Sequence, residues 1–220
     1  MEREFWLERW DLGQTRFHQE RVHPDLERHG PAWLGDASRR VLVPLCGKSW
    51  DLPWLADRGH HTVGSEFSEI AARAVFAEHD REPRVSPQGE HVVYEHGTLA
   101  VWQGDFFALP EHLAPFDRVW DRAALVAVRP DQREAYVAKL AQLAPGGDLL
   151  LSALDYDPSA MSGPPFAVPP SEVERLFGPS GLGATVEKVD EHDLIEAGWR
   201  ERGHDWFRSN LYRIGLPKSA

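Results

Sequence analysis

The 220-residue chain predicts an α/β protein, a doubly wound and mainly parallel sheet with helices on both faces. Three observations carry this. Short apolar runs alternate along the chain with stretches of helical character. The early strands run into turns that hold a glycine or an acidic residue. The length suits one domain with a full-sized core.

RRVLVPL, residues 39 to 45, reads as a buried strand leading into a Cys-Gly turn, with a helix from about Ser49 to Arg58. HTVGSEF, from His61, is a second strand, and Ser68 is placed to cap the next helix, through about His79. HVVYEHG and TLAVWQG form a hairpin turning near Gly97, the second run being the third core strand. FDRVWD is the fourth, and residues 130 to 143 form a helix opened by Pro130. GGDLLLSALDYD is the fifth. From about Pro170 come a short helix and two closing strands, near 183 to 192 and 204 to 214, which permit a final antiparallel hairpin.

Composition narrows the partners. A formal net charge of -11 repels phosphate backbones, so nucleic acid is not expected as a partner. No apolar run approaches the length of a membrane span, and MEREFWLERWD lacks a signal-peptide core. A cytoplasmic protein with no membrane association and no obligate protein partner is the expectation. The single cysteine, Cys46, excludes an internal disulfide and a zinc site built on several thiolates. It reads as an inert buried residue. The eleven histidines show no ligand spacing, and no metal is expected. Trp6, Trp10 and Trp33 place aromatic bulk near the N-terminus, so that end is expected to fold against something.

In open α/β sheets ligands bind at the carboxyl ends of the strands. That directs attention to three turns, PLCGKS, SEFSE and QGDFF. Gly47 sits where the chain leaves the first strand, and a glycine there lets backbone approach a ligand. Nineteen residues later, Glu66 ends the second strand, where a carboxylate can accept from both hydroxyls of a ribose. The G-x-G-x-x-G cradle of a dinucleotide site is missing, which points to a nucleoside without a pyrophosphate. CGKS is not a Walker loop either, because Leu42 stands where that motif requires glycine. Asp105 and Phe106 offer a carboxylate and a ring for a base. Each also has a plainer reading. Glu66 could serve only the dipole of the next helix. Trp6 and Trp10, four apart, could be one core face. Arg122 could be an ion pair with Asp121, and the prolines of GPPF could simply stiffen a loop.

FHQ (Phe17 to Gln19), PLCGKS (Pro44 to Ser49), WDRAALVA (Trp120 to Ala127), DYDP (Asp155 to Pro158) and GPPF (Gly163 to Phe166) occur in this order. Together they resemble the motifs of the thiopurine S-methyltransferase family, its bacterial members above all, over about Phe5 to Ile214. The resemblance implies a class I methyltransferase fold: seven strands, Rossmann-like, closed by a C-terminal antiparallel hairpin. One domain would span 1–220, with residues 1–30 as a segment covering cofactor and substrate. It implies S-adenosylmethionine as cofactor, S-adenosylhomocysteine as product, and a small aromatic or heterocyclic thiol such as a thiopurine as acceptor. Methylation of selenium, tellurium or halide species, or cofactor binding without turnover, are the alternatives.

The implied roles fall residue by residue. Trp6 and Trp10 would cover the cofactor, Leu45 and Gly47 pack beside its methionine part, Glu66 hold the ribose, and Asp105 with Phe106 the adenine. Arg122 would reach both cofactor and substrate and stabilise a thiolate, while Asp155 could accept a proton through water. Phe17 would cap the substrate opposite Pro164 and Pro165. A second arginine that contacts substrate in some members would be Arg200 or Arg202, in a C-terminal loop (IEAGWRERGHDWF) longer than the family pattern.

Overall fold

The computed structural model describes residues 3–15, 17–201 and 203–218. Backbone contacts group the chain into two compact units, one up to Arg118 and one from Val119 onward.

In the first unit, α1 (Arg3–Asp11) and α2 (Pro24–Leu34) precede β1 (Arg40–Val43), α3 (Asp51–Asp57), β2 (His61–Glu66) and α4 (Glu69–Ala77). Then come β3 (Arg84–Gln88), β4 (His91–His96) and β5 (Leu99–Gln103). The strand order is β3-β4-β5-β2-β1. β2 runs parallel to both β1 and β5, while β4 is antiparallel to β3 and β5. Val41, Leu42 and Val43 are consecutive and all buried, the mark of a strand covered on both faces. Ser68 caps α4 as expected, its side chain accepting from the Ala71 amide at 3.3 Å. On α4, Ala71, Ala72, Val75 and Phe76 are buried along one helical face. Gly97 turns the β4–β5 hairpin at φ 60°.

Two elements of this unit were hidden in the sequence. α2 contains Gly30 and Pro31, which read locally as helix breakers, yet five of its residues are buried. β3 is largely exposed and carries Pro87, both features of an edge strand.

The second unit opens with β6 (Arg118–Arg122) and continues through α5 (Arg133–Leu143), β7 (Asp148–Tyr156), α6 (Pro170–Phe177), β8 (Thr185–Asp193), α7 (Ala197–Glu201) and β9 (Phe207–Gly215). Strand order is β6-β7-β9-β8, with β9 antiparallel to both neighbours. The register runs from Asp148 opposite Gly215 to Tyr156 opposite Phe207. This is the closing antiparallel hairpin that the C-terminal strands permitted. The helix expected from Pro130 begins as a 3-10 turn, Pro130–Gln132, before α5. Arg133, buried on α5, donates to Glu172 at 3.1 Å and to the Ala167 carbonyl at 3.0 Å, fastening α5 to the start of α6. Among the described residues, no helix is long and apolar enough to cross a membrane.

Candidate active site

The three turns singled out in the sequence meet at the carboxyl ends of β1, β2 and β5. Past β1 the chain reverses through left-handed backbone at Leu45 (φ 48°) and Gly47 (φ 55°). The Leu45 amide donates to Ser65 Oγ at 3.2 Å and the Cys46 amide to the Ser65 carbonyl at 2.8 Å, so the first turn leans on the end of β2. Glu66 binds the turns together. Its Oε2 accepts from the Gly47 amide and its Oε1 from the Ser68 amide, both at 2.8 Å. Its backbone carbonyl accepts from Gly104 at 2.8 Å, joining the turn after β5. The Glu66 side chain is buried, and burial pushes its carboxyl above the ordinary value, with the amides of Ser68, Gly47 and Phe67 pulling back. Each carboxylate oxygen has more than one lone pair, so both can accept a further hydrogen bond from a diol.

His91, at the start of β4, is a residue the sequence reading missed. Its Nε2 lies 2.9 Å from the Asp105 carbonyl, and because a carbonyl only accepts, Nε2 carries the hydrogen. A Cβ on Gly104 would stand 2.5 Å from the His91 ring, so only glycine lets the ring close on this turn. Asp105 is exposed, and its Oδ1 accepts from the Phe107 amide at 3.0 Å. The Phe106 side chain is 1% exposed. Its ring is packed into the core and does not present a face to a base as the sequence suggested. What it can offer there is backbone, and the half-buried ring nearby is Phe107.

α1 brings Trp10 over the first turn. A Cβ on Gly47 would come within 3.2 Å of the Trp10 ring, so the indole lies directly on the glycine. Phe17 meets both Trp6 and Trp10 edge-on, with ring centroids 5.4 Å apart in each case. Trp6, Trp10, Phe17, Leu45, Gly47, Glu66 and Asp105 therefore all belong to the first unit. Cys46 is buried, and burial pushes its thiol well above the ordinary value, which keeps it un-ionised and poorly nucleophilic. An open cavity of about 740 Å³ lies at the other end of these strands, lined by Arg40, His61, Arg84 and Glu95 among others. Its cations are engaged: Arg40 donates to the Leu113 carbonyl at 2.7 Å and Arg84 to Glu95 at 2.7 Å.

The remaining candidates belong to the second unit. Arg122 ends β6 half-buried, followed by Ala123 in left-handed backbone (φ 62°). Asp121 is wholly buried; its Oδ1 accepts from the Leu125 amide at 3.0 Å and its Oδ2 from the Tyr136 hydroxyl at 2.7 Å. Asp155, half-buried near the end of β7, accepts from Trp206 Nε1 at 3.3 Å. The GPPF loop is clamped at two points. The Tyr156 hydroxyl donates to the Pro165 carbonyl and the Phe166 amide to the Val126 carbonyl, both at 2.6 Å. Pro164 and Pro165 both follow cis peptide bonds and are half-buried. Beyond them, Trp199 stacks on Phe207 at 4.7 Å and Tyr156 meets Phe207 edge-on at 5.5 Å. Arg200, on α7, is exposed and pairs with Asp193 at 3.5 Å. Arg202 lies outside the described residues.

Comparison with known proteins follows the same lines. The family profile described as thiopurine S-methyltransferase matches residues 1–216. A thiopurine S-methyltransferase of Pseudomonas fluorescens is 42% identical over 217 residues, covering 97% of this chain and 99% of its own. One of Vibrio parahaemolyticus is 43% identical over 215 residues, covering 97% and 98%. Among solved structures, a 1,6-didemethyltoxoflavin-N1-methyltransferase of Burkholderia thailandensis, determined with S-adenosylhomocysteine, aligns at TM-score 0.62 and 16% identity, over 99% of this chain and 87% of that one. A magnesium protoporphyrin IX methyltransferase of Synechocystis with the same bound product aligns at TM-score 0.62 and 15% identity, over 99% and 98%. At such identities the structural likeness speaks for the fold.

Proposed function

The chain belongs to the thiopurine S-methyltransferase family and is a methyltransferase that uses S-adenosylmethionine, and from that premise we propose that it methylates the sulfur of a small aromatic or heterocyclic thiol. The observation that carries this acceptor is Arg122. It stands half-buried at the carboxyl end of β6, and the turn that follows it grips the GPPF loop through Val126 and Phe166. A permanent cation and a flat apolar wall suit a planar anion.

The first unit fits the cofactor. Gly47 supplies a backbone surface without Cβ, Glu66 a carboxylate with acceptor capacity left over, and Asp105 a second acid beside an aromatic turn. In this reading Leu45 and Gly47 hold the methionine part, Glu66 the ribose, and Asp105 with the Phe106 backbone the adenine. Residues 1–30 serve as the covering segment, with Trp6 and Trp10 over the cofactor and Phe17 over the acceptor. Bound there, S-adenosylmethionine supplies a sulfonium methyl group already activated for transfer.

What the protein adds is alignment and exclusion of water, and alignment alone is worth on the order of 7–11 kcal/mol. Arg122 stays charged at every working pH, so it stabilises an acceptor as its thiolate but removes no proton itself. Asp155 keeps its carboxylate near the end of β7 with one oxygen on Trp206, leaving the other to take a proton through water. Pro164 and Pro165, fixed by Tyr156, form the wall against which the ring is held. Arg200 serves the rim, given its exposure and its pairing with Asp193. Arg202 remains its alternative as a second substrate arginine.

The test is a methyl-transfer assay with labelled cofactor against aromatic thiols, aliphatic thiols, selenite, tellurite and halide. Aromatic thiols converted to methyl thioethers, one per S-adenosylhomocysteine formed, are the expected outcome. Conversion of selenite, tellurite or halide instead would move the acceptor to those species. Tight S-adenosylhomocysteine binding with no acceptor converted would make the chain a binding protein.

A further inference from the structure

We propose that Asp121 and Tyr136 form a positioning brace for Arg122, holding the strained turn that fixes where its guanidinium stands. The inference rests on the reading of Arg122 as the cation facing the acceptor.

Asp121 and Arg122 are consecutive at the end of β6, so an acid beside the site arginine could be taken for the catalytic base. The geometry excludes that. Asp121 has no exposed surface, and both of its oxygens are engaged inside the fold. Its Oδ1 accepts from the amide four residues ahead, Leu125, which closes a tight loop around residues 122–124. Its Oδ2 accepts from Tyr136, on α5, which fixes the plane of the carboxylate and stops it from turning away from Leu125. Tyr136 is itself fully buried, and burial together with Asp121 pushes its phenol well above the ordinary value, so it remains a donor at any working pH.

The loop so closed contains Ala123 at φ 62°, a conformation that puts the alanine Cβ against its own backbone and that glycine adopts freely. A chain left to itself would relax out of it. Relaxation would swing Arg122, the residue immediately before. It would also shift Val126, which accepts from Phe166 and so steadies the GPPF loop. The brace thus reaches both acceptor-facing features of the second unit through one carboxylate. Asp121, Leu125 and Tyr136 are tied to one another within the second unit, whereas Gly47, Ser68 and Gly104 are tied to Glu66 within the first. Their loss should therefore be felt by the acceptor and not by the cofactor.

The experiment compares Tyr136→Phe, Arg122→Ala and the double variant Tyr136→Phe/Ala123→Gly with the wild type. The readouts are calorimetric affinity for S-adenosylhomocysteine, calorimetric affinity of the product complex for an aromatic thiol, and the split between kcat and acceptor KM. Tyr136→Phe keeps the ring and removes one hydroxyl, so the protein should fold. Its thiol affinity should fall about tenfold, the scale of one buried charge-assisted hydrogen bond, with S-adenosylhomocysteine affinity unchanged. Adding Ala123→Gly removes the strain that the brace opposes and should restore much of the loss, which a merely structural defect would not allow. Asp121→Asn, which keeps an acceptor for Leu125 but not the charge, should show the same pattern. If Arg122→Ala weakens thiol binding while neither Tyr136→Phe nor Asp121→Asn does, the brace is wrong and the role of Arg122 stands. If Tyr136→Phe weakens thiol and S-adenosylhomocysteine alike, or glycine gives no rescue, the pair only supports the fold. If Arg122→Ala leaves thiol binding intact, the role of Arg122 falls and the brace with it.

Discussion

The two units hold their functional turns by different means. Up to Arg118, the turns are tied by backbone amides and carbonyls that converge on Glu66: Gly47 and Ser68 on its carboxylate, Gly104 on its carbonyl. From Val119 onward, single side chains add to the backbone bond between Phe166 and Val126, with Asp121 on Tyr136, Tyr156 on Pro165 and Trp206 on Asp155. A common cofactor can be gripped by backbone, whose geometry survives many sequence changes. An acceptor site that must differ from one enzyme to the next is better built on side chains, each of which a single substitution can retune.

The comparison can be broken first at Glu66. Glu66→Gln keeps the shape but removes the charge and turns an NH2 toward one of the Gly47 and Ser68 amides, and S-adenosylhomocysteine affinity should drop at least tenfold by calorimetry, because a charged acceptor is worth about 1.5–3 kcal/mol per hydrogen bond. Glu66→Ala should go further and also lower the melting temperature, since the amides of Gly47 and Ser68 lose their acceptor. An affinity that survives both changes would detach Glu66 from the cofactor.

Gly47 gives the next largest effect. At φ 55°, with Trp10 within 3.2 Å of any Cβ, Gly47→Ala meets both backbone strain and the indole. Gly97→Ala, at φ 60° with nothing within 4 Å, meets strain alone. Both should lose about 1–2 kcal/mol in denaturant titration, but only Gly47→Ala should also weaken S-adenosylhomocysteine binding. Equal binding by the two variants would mean that Trp10 is core packing and not cover.

How much of this was legible in sequence follows the same division. Gly47, Glu66 and the Ser68 cap were readable because strand, turn and helix cap are local patterns. The long-range ties left no such trace. Nothing in HVVYEHG announces that His91 will reach the Asp105 carbonyl fourteen residues on, because a lone histidine at a strand start has no partner until the hairpin folds. Tyr136 reads as one more apolar position of α5, and only its place opposite Asp121 gives its hydroxyl a task. Phe106 failed for the converse reason: two adjacent phenylalanines look equivalent in sequence, and the 3-10 turn capped by Asp105 sends the first into the core.

His91 sharpens the comparison with a smaller effect. His91→Phe keeps a ring against Trp102 and Gly104 but loses the donor to Asp105. Cofactor KM should rise several-fold with acceptor KM unchanged, the signature of one lost hydrogen bond worth about 1 kcal/mol. An effect confined to the acceptor would place His91 on the wrong side of the division.

The smallest effect is on stability against pH. Burial raises the Asp121 carboxyl to about 6, despite the opposing hydrogen bonds from Leu125 and Tyr136. Unfolded, the same group sits at about 3.9. Between those values the folded state holds the proton more tightly, so this group's contribution is fullest below about pH 3.9 and is lost as pH rises through about 6. Asp121→Asn should remove that component, and the difference in melting temperature between wild type and variant should change across this window and level off above it. A difference that is flat from pH 4 to 7 would mean that Asp121 does not titrate there.

One measurement tests the division of labour most directly: turnover of thiols of graded acidity by the wild type, Glu66→Gln and Arg122→Ala, at limiting S-adenosylmethionine and several pH values. Glu66→Gln should slow every thiol by the same factor, since it acts before the acceptor matters. Arg122→Ala should slow the least acidic thiols most and those already ionised least, because what it loses is stabilisation of the thiolate, and raising the pH should narrow that spread. If Arg122→Ala instead costs all thiols one common factor at every pH, Arg122 serves the cofactor or the fold, and the second unit does not read the acceptor's charge.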